Sequence, residues 1–600
     1  MIKNIIKKTT VVFLCLALGV CSVPTKAVAK EDTVYDLIVI GGEPEGIAAA
    51  VSAARNGLHT LLLEEGEALG GLMTLGGLNF LDMSYGPQKE LLTRGIFAEF
   101  YKEMGNAFDL AEAKQYFRQL VQKEEKIALK LGTTFVAPLM KGKTLLGVRV
   151  KEKGESKDYF GSRLIDATVD ADVAAAAGVP YTIGAEDYGR KGELMGVTLV
   201  FRVKEVNWPY VFLYNNWLRL LSKIKSGWGD PYAGANWKVA WGYGEQALAY
   251  QPHDEQMRFR GPNLARQKDG TVLVNALLIF GVNSLDPASK AEALVRGKAE
   301  IPHLIKFMRK NFPGFARVKF VDTAERLYVR ETRHIRGEYR LTITDVLENK
   351  DHWDRIAHGS YPVDLQPTAP DNLGNVLGKP ALYSIPFRCL VPLQVENLLV
   401  AGRSASYDSL AHGSARVIPV GMAAGEAAGV AAAYSLEKGL GFRELSRDQA
   451  AVRAVQEQLK KQGAYLVAYT PPRPAVMEHW AYPGLRVMRE LGLAAGGYAN
   501  DYHLDTPIHY WDANYVFNQI TMGTEEFNFP ENITRGHLLT AAVQVLTGCA
   551  VSPAEAVAIL MEKGFLTEEE GKYYTAVEDN PTFGELYVLA ALLYTANAAD

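Results

Sequence analysis

Cysteine is scarce in this chain: 600 residues contain four. Cys15 and Cys21 lie in the first thirty residues, and Cys389 and Cys549 stand far apart. That excludes a disulfide framework. No stretch carries Cys and His at the spacing of a structural metal site, so no metal is expected. Charge of one sign is also missing. The balance of 64 Lys+Arg against 68 Asp+Glu, net −4, lacks the basic surplus of a nucleic-acid binder. The N-terminal apolar run "VVFLCLALGV" is too short to span a bilayer comfortably.

That run belongs to a recognisable pattern. Lys3, Lys7 and Lys8 precede it, and Ala27-Val28-Ala29 follows. Positive head, short apolar centre and small-residue exit describe a secretory signal over 1–29, cut after Ala29. Val20 stands where a lipoprotein signal needs a small residue before Cys21, and no twin arginine is present. The expected location is therefore secreted or cell surface, by the general export route.

The hydrophobic share of 48%, with 29 Tyr and 23 Phe, suits large globular cores and stacking on a planar ligand. "VYDLIVI" is a β-branched apolar run fit for a buried parallel strand. "EGIAAAVSAARNG" reads as a small-residue helix, and "HTLLLEE" as a second strand. Such a unit aims a helix N-terminus at a pyrophosphate. Gly41 makes the tight turn, Gly46 lets the helix pack close, and Glu64 takes ribose hydroxyls. Glu43 occupies the position of the usual second glycine. Its charge beside a pyrophosphate needs a partner, and Arg403 in "NLLVAGRSAS" is the expected one.

Gly70-Gly71 just past the second strand points to FAD rather than NAD. Here the chain resembles flavoproteins of the glutathione-reductase structural class. More narrowly, "GGEPEGIAAAVSAARNG" resembles the FAD-dependent oxidoreductase family of secreted bacterial proteins, some labelled xanthan-lyase-like. Three later segments extend the resemblance over about Val34 to Leu440: Arg163–Gly189, with Val169 where glycine is usual; "YVRETRHIRGEYRLTITDV"; and Tyr383–Ala433. The resemblance implies FAD contacts at Gly41, Gly42, Glu43, Pro44, Glu45, Gly46, Glu64 and Glu65. It implies others at Gly70, Gly71, Leu72, Met73, Val136, Ala167 and Thr168, and at Gly402, Arg403, Val417, Gly421 and Met422. No histidine follows the glycine pair in "GGLMTLGGLNFLDMSYG", so the FAD is expected to be non-covalent.

The candidate chemistry sits in "AHGSARVIPVG". His412 and Arg416, at i and i+4, echo the H-G-x-x-R of fumarate-reductase-like flavoproteins. His412 could move a proton and Arg416 hold a carboxylate or oxyanion. In "RETRHIRG", beside Arg330 and Arg336, Arg333 and His334 are expected to face the site. Arg388 is a third candidate, at a domain junction.

The fold class is α/β: a Rossmann-like FAD-binding domain with a parallel sheet, an inserted α+β substrate domain and a C-terminal helical region. The expected FAD domain is discontinuous, 34–200 and 383–439, with a substrate domain over 201–382. Helix and linker fill 440–470. A helical region over 471–600 faintly resembles the surface-layer homology motif, which suggests possible cell-wall association. "YFRQLVQKEEKIALKLG" reads as one amphipathic helix. The Trp, Tyr and Asn of "SGWGDPYAGANWKVAWGYG" either stack on sugar rings or form a core.

The expected activity is hydride transfer between FAD and a small polar substrate, sugar-like or carboxylate. Reduction of an unsaturated acid, a lyase using FAD structurally, and a wall-associated binding protein with a relic flavin fold are the alternatives. No second nucleotide fingerprint is present, so the sequence names no electron acceptor.

Overall fold

The computed structural model describes residues 34–221, 233–521 and 526–597. The expected signal segment 1–29 and part of the Trp-rich stretch lie outside these residues. A seven-stranded sheet organises the first core. Strand β1 (Val34–Ile40) pairs in parallel with β2 (Thr60–Leu63), Leu37 opposite Thr60. Next to β2 comes β3 (Ile127–Lys130), also parallel. The hairpin of β5 (Thr144–Glu152) and β6 (Glu155–Asp166) turns at Lys153-Gly154, with β4 (Thr133–Lys141) outside it. The end of β6 pairs in parallel with β7 (Leu398–Val400), so residues far apart in sequence share one sheet edge.

The segment read as one helix from Tyr116 divides. Its helix ends at Gln122, and Ile127–Lys130 becomes β3. The physical reason is the open edge of β2, whose Thr60 and Glu64 N–H groups donate to the Lys126 and Lys130 carbonyls.

Helix α1 (Pro44–Arg55) starts with proline in its first turn, and all but Arg55 are buried. Its small face accepts α4 (Ile418–Lys438). A Cβ at Gly425 would lie 2.1 Å from the Glu45 carbonyl oxygen, and one at Gly429 2.4 Å from that of Ala49. The two helices meet backbone to backbone. Between these, α2 (Gly71–Thr74) follows β2, and α3 (Ser409–Ala415) precedes α4 at a 94° bend. Among the described residues no single helix is long and apolar enough to cross a membrane.

A second, six-stranded sheet runs in the order Lys319–Thr323, Val197–Lys204, Val272–Ile279, Met257–Arg266, Val239–Trp241, Gly234–Ala235. Helix Pro287–Asn311, capped by Asp286, buries Ile301, Leu304 and Met308 in its core. Residues Leu341 to Leu377 instead pack into the core around β1 and α1. A third core, of helices between Ala481 and Leu593, is separate.

Candidate functional site: two joined cavities

A cavity of about 650 Å³ opens at the carboxyl ends of β1 and β2. That is where a doubly wound sheet binds its ligand, and the volume is that of a cofactor site. Of the expected contacts, Gly41, Glu43, Pro44, Glu45, Glu64, Glu65, Leu72, Ala167, Thr168, Gly402, Arg403 and Val417 line it. Arg416 does too.

The other expected contacts stand behind this lining. The Gly42 N–H donates to Glu64 Oε2 at 2.7 Å, and the Gly70 N–H to the Gly42 carbonyl. Gly46 packs on the Gly41 carbonyl, and Gly421 on the Glu45 side chain. Met73 and Met422 are core residues. Val136 is the exception: it points outward, 54% exposed, while Thr133 and Phe135, on the other face of the strand, wall the cavity. The reason is strand alternation, which turns successive side chains to opposite faces.

Glu43 caps α1 with an extended backbone (φ −66°, ψ 163°), and its side chain folds towards α2. Its Oε2 accepts from the Leu72 N–H at 3.0 Å. A Cβ at Gly71 would lie 1.7 Å from that oxygen, so Gly71 makes the room that the glutamate needs. The ion-pair partner differs from the expected one. Arg326 reaches Glu43 at 3.4 Å and Glu64 at 2.9 Å. Arg403 pairs instead with Asp170 at 2.5 Å and also donates to the carbonyls of Val169 and Val329. Burial, then the Glu64 charge, pushes the Glu43 carboxyl above its ordinary range, against the pull of Arg326, the Leu72 N–H and, least of all, Arg403. Burial also raises Glu45, to about 7, with Glu43 adding to it.

Arg326 thus lets two buried acids border a pyrophosphate site. Arg326→Ala is expected to weaken binding of the expected flavin dinucleotide by about 5- to 150-fold. That is about 1–3 kcal/mol, reduced from the loss of a fully buried ion pair because a third of the Arg326 side chain is exposed. Glu43→Gln on that background is expected to recover most of the loss in a flavin titration. Equal affinities in all three chains would show that the charge pair has no part in binding.

A second cavity of about 320 Å³ adjoins the first and shares Leu78, Asp82, Tyr328, Arg330 and Arg416 with it. Trp241, Arg260, Asn263 and Asn275 of the six-stranded sheet complete it, with Tyr361, Asp364 and Gln366. Arg416 donates to the Tyr328 hydroxyl at 3.1 Å and lies 3.3 Å from Asp364. Burial pulls Arg330 down to about 10, with Arg260 and Arg416 adding to the effect. Among the described residues neither Arg260 nor Arg330 forms an ion pair, and the Nε atoms of Arg260 and Arg416 are unpartnered. Asp82 opens onto both cavities. Desolvation pushes its carboxyl up to about 6, with Asp364 adding to this and Arg416 opposing it.

Four expected catalytic residues line neither cavity. His412 is fully buried, and burial, then His334, holds its pKa well below the ordinary value. His334 lies against it, ring centroids 4.7 Å apart, and neither residue lines either of the two cavities. Arg333 turns to Asp172 at 2.8 Å. Arg388 makes a two-pronged pair with Asp354, at 2.8 and 3.0 Å. Of the five expected catalytic residues, Arg416 alone reaches both cavities. Sequence reasoning missed Arg326, Arg260 and Asp82, which belong to no motif; Arg330 was visible only as one charge in a cluster.

The parallel sheet, the helix N-terminus and the cavity at its edge define a dinucleotide-binding protein. The chain belongs to the FAD dependent oxidoreductase family, whose pattern matches residues 36–459. FAD is its cofactor and it is an oxidoreductase. The cradle fits that group: Glu64 for the ribose, the start of α1 for the pyrophosphate, and Val417 at the start of α4.

Among solved structures it is similar to a geranylgeranyl bacteriochlorophyll reductase-like protein from Thermoplasma acidophilum. Identity there is 13%, over 72% of this chain and 84% of that one, with TM-score 0.35. It is also similar to p-nitrophenol 4-monooxygenase from Pseudomonas putida, at 11% over 77% and 97%, with TM-score 0.32. A third is the myxobacterial chondrochloren halogenase, at 13% over 94% and 97%, with TM-score 0.30.

Proposed function

We propose that this enzyme transfers a hydride between FAD and a small hydroxylated substrate that carries a carboxylate, such as a sugar acid. The observation that carries this reading is the junction of the two cavities. Three guanidiniums face the second cavity, and among the described residues only Arg416 has an acidic ion-pair partner there. Arg260 and Arg330 remain to bind an anion. Asn263, Asn275 and Gln366 can bond hydroxyls, and Trp241 offers a ring face. The N-terminal pattern through Ala29 supports export, so the same proposal places the reaction outside the cytoplasm.

FAD when bound supplies a two-electron acceptor or donor. The rest falls to the side chains. Arg260 and Arg330 hold the carboxylate and so orient the reacting carbon. In oxidation of an alcohol, the hydroxyl proton leaves as the C–H hydride leaves, and the Asp82 carboxylate at the junction accepts it. In reduction the same group returns the proton.

The test is anaerobic bleaching of the purified, FAD-loaded protein by neutral sugars, sugar acids and simple hydroxy acids. Sugar acids are expected to bleach the flavin and their neutral counterparts to fail. Arg330→Met is expected to raise the half-saturating concentration by about 10- to 150-fold, the worth of a charged hydrogen bond, with an unchanged flavin spectrum. Bleaching by neutral sugars alone would remove the carboxylate from the proposal.

A further inference from the structure

A third cluster of reactive side chains belongs to neither cavity. Glu331, His334 and His412 each bring one candidate ligand atom to within 4.8 Å of the others. None is more than 2% exposed. Glu331 Oε1 lies 3.0 Å from His334 Nε2 and accepts from the Ser409 hydroxyl. Glu331 and His334 sit on the strand segment around Arg333–Ile335, and Ser409 and His412 on α3.

Two features of the cluster need an explanation. His334 Nδ1 and both ring nitrogens of His412 have no hydrogen-bond partner, although buried polar atoms are almost always satisfied. Among the described residues, no Lys or Arg pairs with the Glu331 carboxylate. A single cation would answer both, as counter-charge for the carboxylate and acceptor of imidazole lone pairs.

We propose that Glu331, His334 and His412 bind a divalent first-row metal ion that pins this strand to α3. Two imidazoles and a carboxylate form a donor set suited to zinc, iron(II) or manganese. With metal–ligand bonds of about 2.0–2.2 Å, tetrahedral ligand atoms sit about 3.4 Å apart. The widest separation in the cluster therefore closes by at most about 1.4 Å, within reach of one imidazole's side-chain torsions. The Ser409 hydroxyl supplies the outer support that a ligating carboxylate uses. The role is structural, since no member of the trio lines either cavity. The pin holds α3 just before Arg416 and so positions that arginine.

Zinc serves as the probe. The full FAD-loaded chain is equilibrated with zinc chloride, dialysed against metal-free buffer, and assayed for zinc by mass spectrometry and for flavin by absorbance. One zinc per flavin is expected in the wild type. His412→Gln and Glu331→Gln are expected to lose the zinc and keep the flavin. Ser409→Ala is expected to bind zinc about 10- to 100-fold more weakly. A wild-type chain that retains no zinc overturns the proposal, as do His412→Gln and Glu331→Gln chains that retain as much as the wild type. Where a variant does not fold, the wild-type stoichiometry and Ser409→Ala still decide.

Discussion

An Asp82→Asn enzyme is expected to keep its flavin spectrum while flavin reduction by substrate slows by about 10²- to 10⁴-fold, the usual worth of a positioned general base. Asparagine preserves the volume and the contacts of Asp82 but cannot accept a proton. The pH profile gives a sharper test. Burial and Asp364 push the Asp82 carboxyl up to about 6, so it is protonated below that pH and ionised above it. Oxidation of an alcohol needs the ionised form. The wild-type rate therefore rises with pH through about 6 and then levels, and the Asp82→Asn profile is flat there. A stopped-flow pH series on both enzymes measures this. An inflection that survives in Asp82→Asn assigns the proton to another group.

The second large effect is expected at Gly41, where valine yields a chain that folds but purifies without flavin. Gly41 has φ of +107°, in a region that side chains rarely adopt. A Cβ there would lie 2.3 Å from the Ala167 carbonyl oxygen and 2.8 Å from the Thr168 nitrogen. It would push apart the ends of β1 and β6, which form the floor of the larger cavity. Backbone strain of about 1–3 kcal/mol and a comparable overpacking cost together exceed about a 30-fold loss of affinity. Flavin content after gel filtration, with circular dichroism as the folding control, measures it, and Gly41→Ala is expected to be intermediate. Wild-type flavin content in Gly41→Val would place the phosphate cradle elsewhere.

The elements legible in the sequence were those written in adjacent residues. The apolar run of β1, the alanines of α1 and Glu64 at the end of β2 declare a nucleotide-binding unit within thirty-odd positions. What escaped was set by contacts between distant segments. Glu43 pairs with Arg326, which sits in "TAERLYV" with no motif around it. Arg260 and Asp82 meet only because the six-stranded sheet walls the second cavity, onto which Asp82 also opens. His412 and Arg416 keep the helical spacing, with the Arg416 N–H donating to the His412 carbonyl. Yet α3 stops at Ala415 and the chain bends 94°, so the arginine enters the cavities and the histidine stays in the interior. The Glu331, His334 and His412 trio combines a short i, i+3 spacing with a partner far along the chain, which a search for compact metal motifs passes over.

The contact of α4 on α1 bears on how the protein is made. Gly425 rests directly on the backbone of Glu45, so the cofactor cradle lacks its back wall until residue 425 has emerged. At about 5–20 residues per second, synthesis takes about 20–80 s to bring one to the other. During that interval the face of α1 that α4 covers stays open, and closing so long a loop is a slow, non-local event. Early pieces of the chain have no complete nucleotide site to offer. FAD therefore joins a nearly finished fold and cannot act as the template on which folding begins.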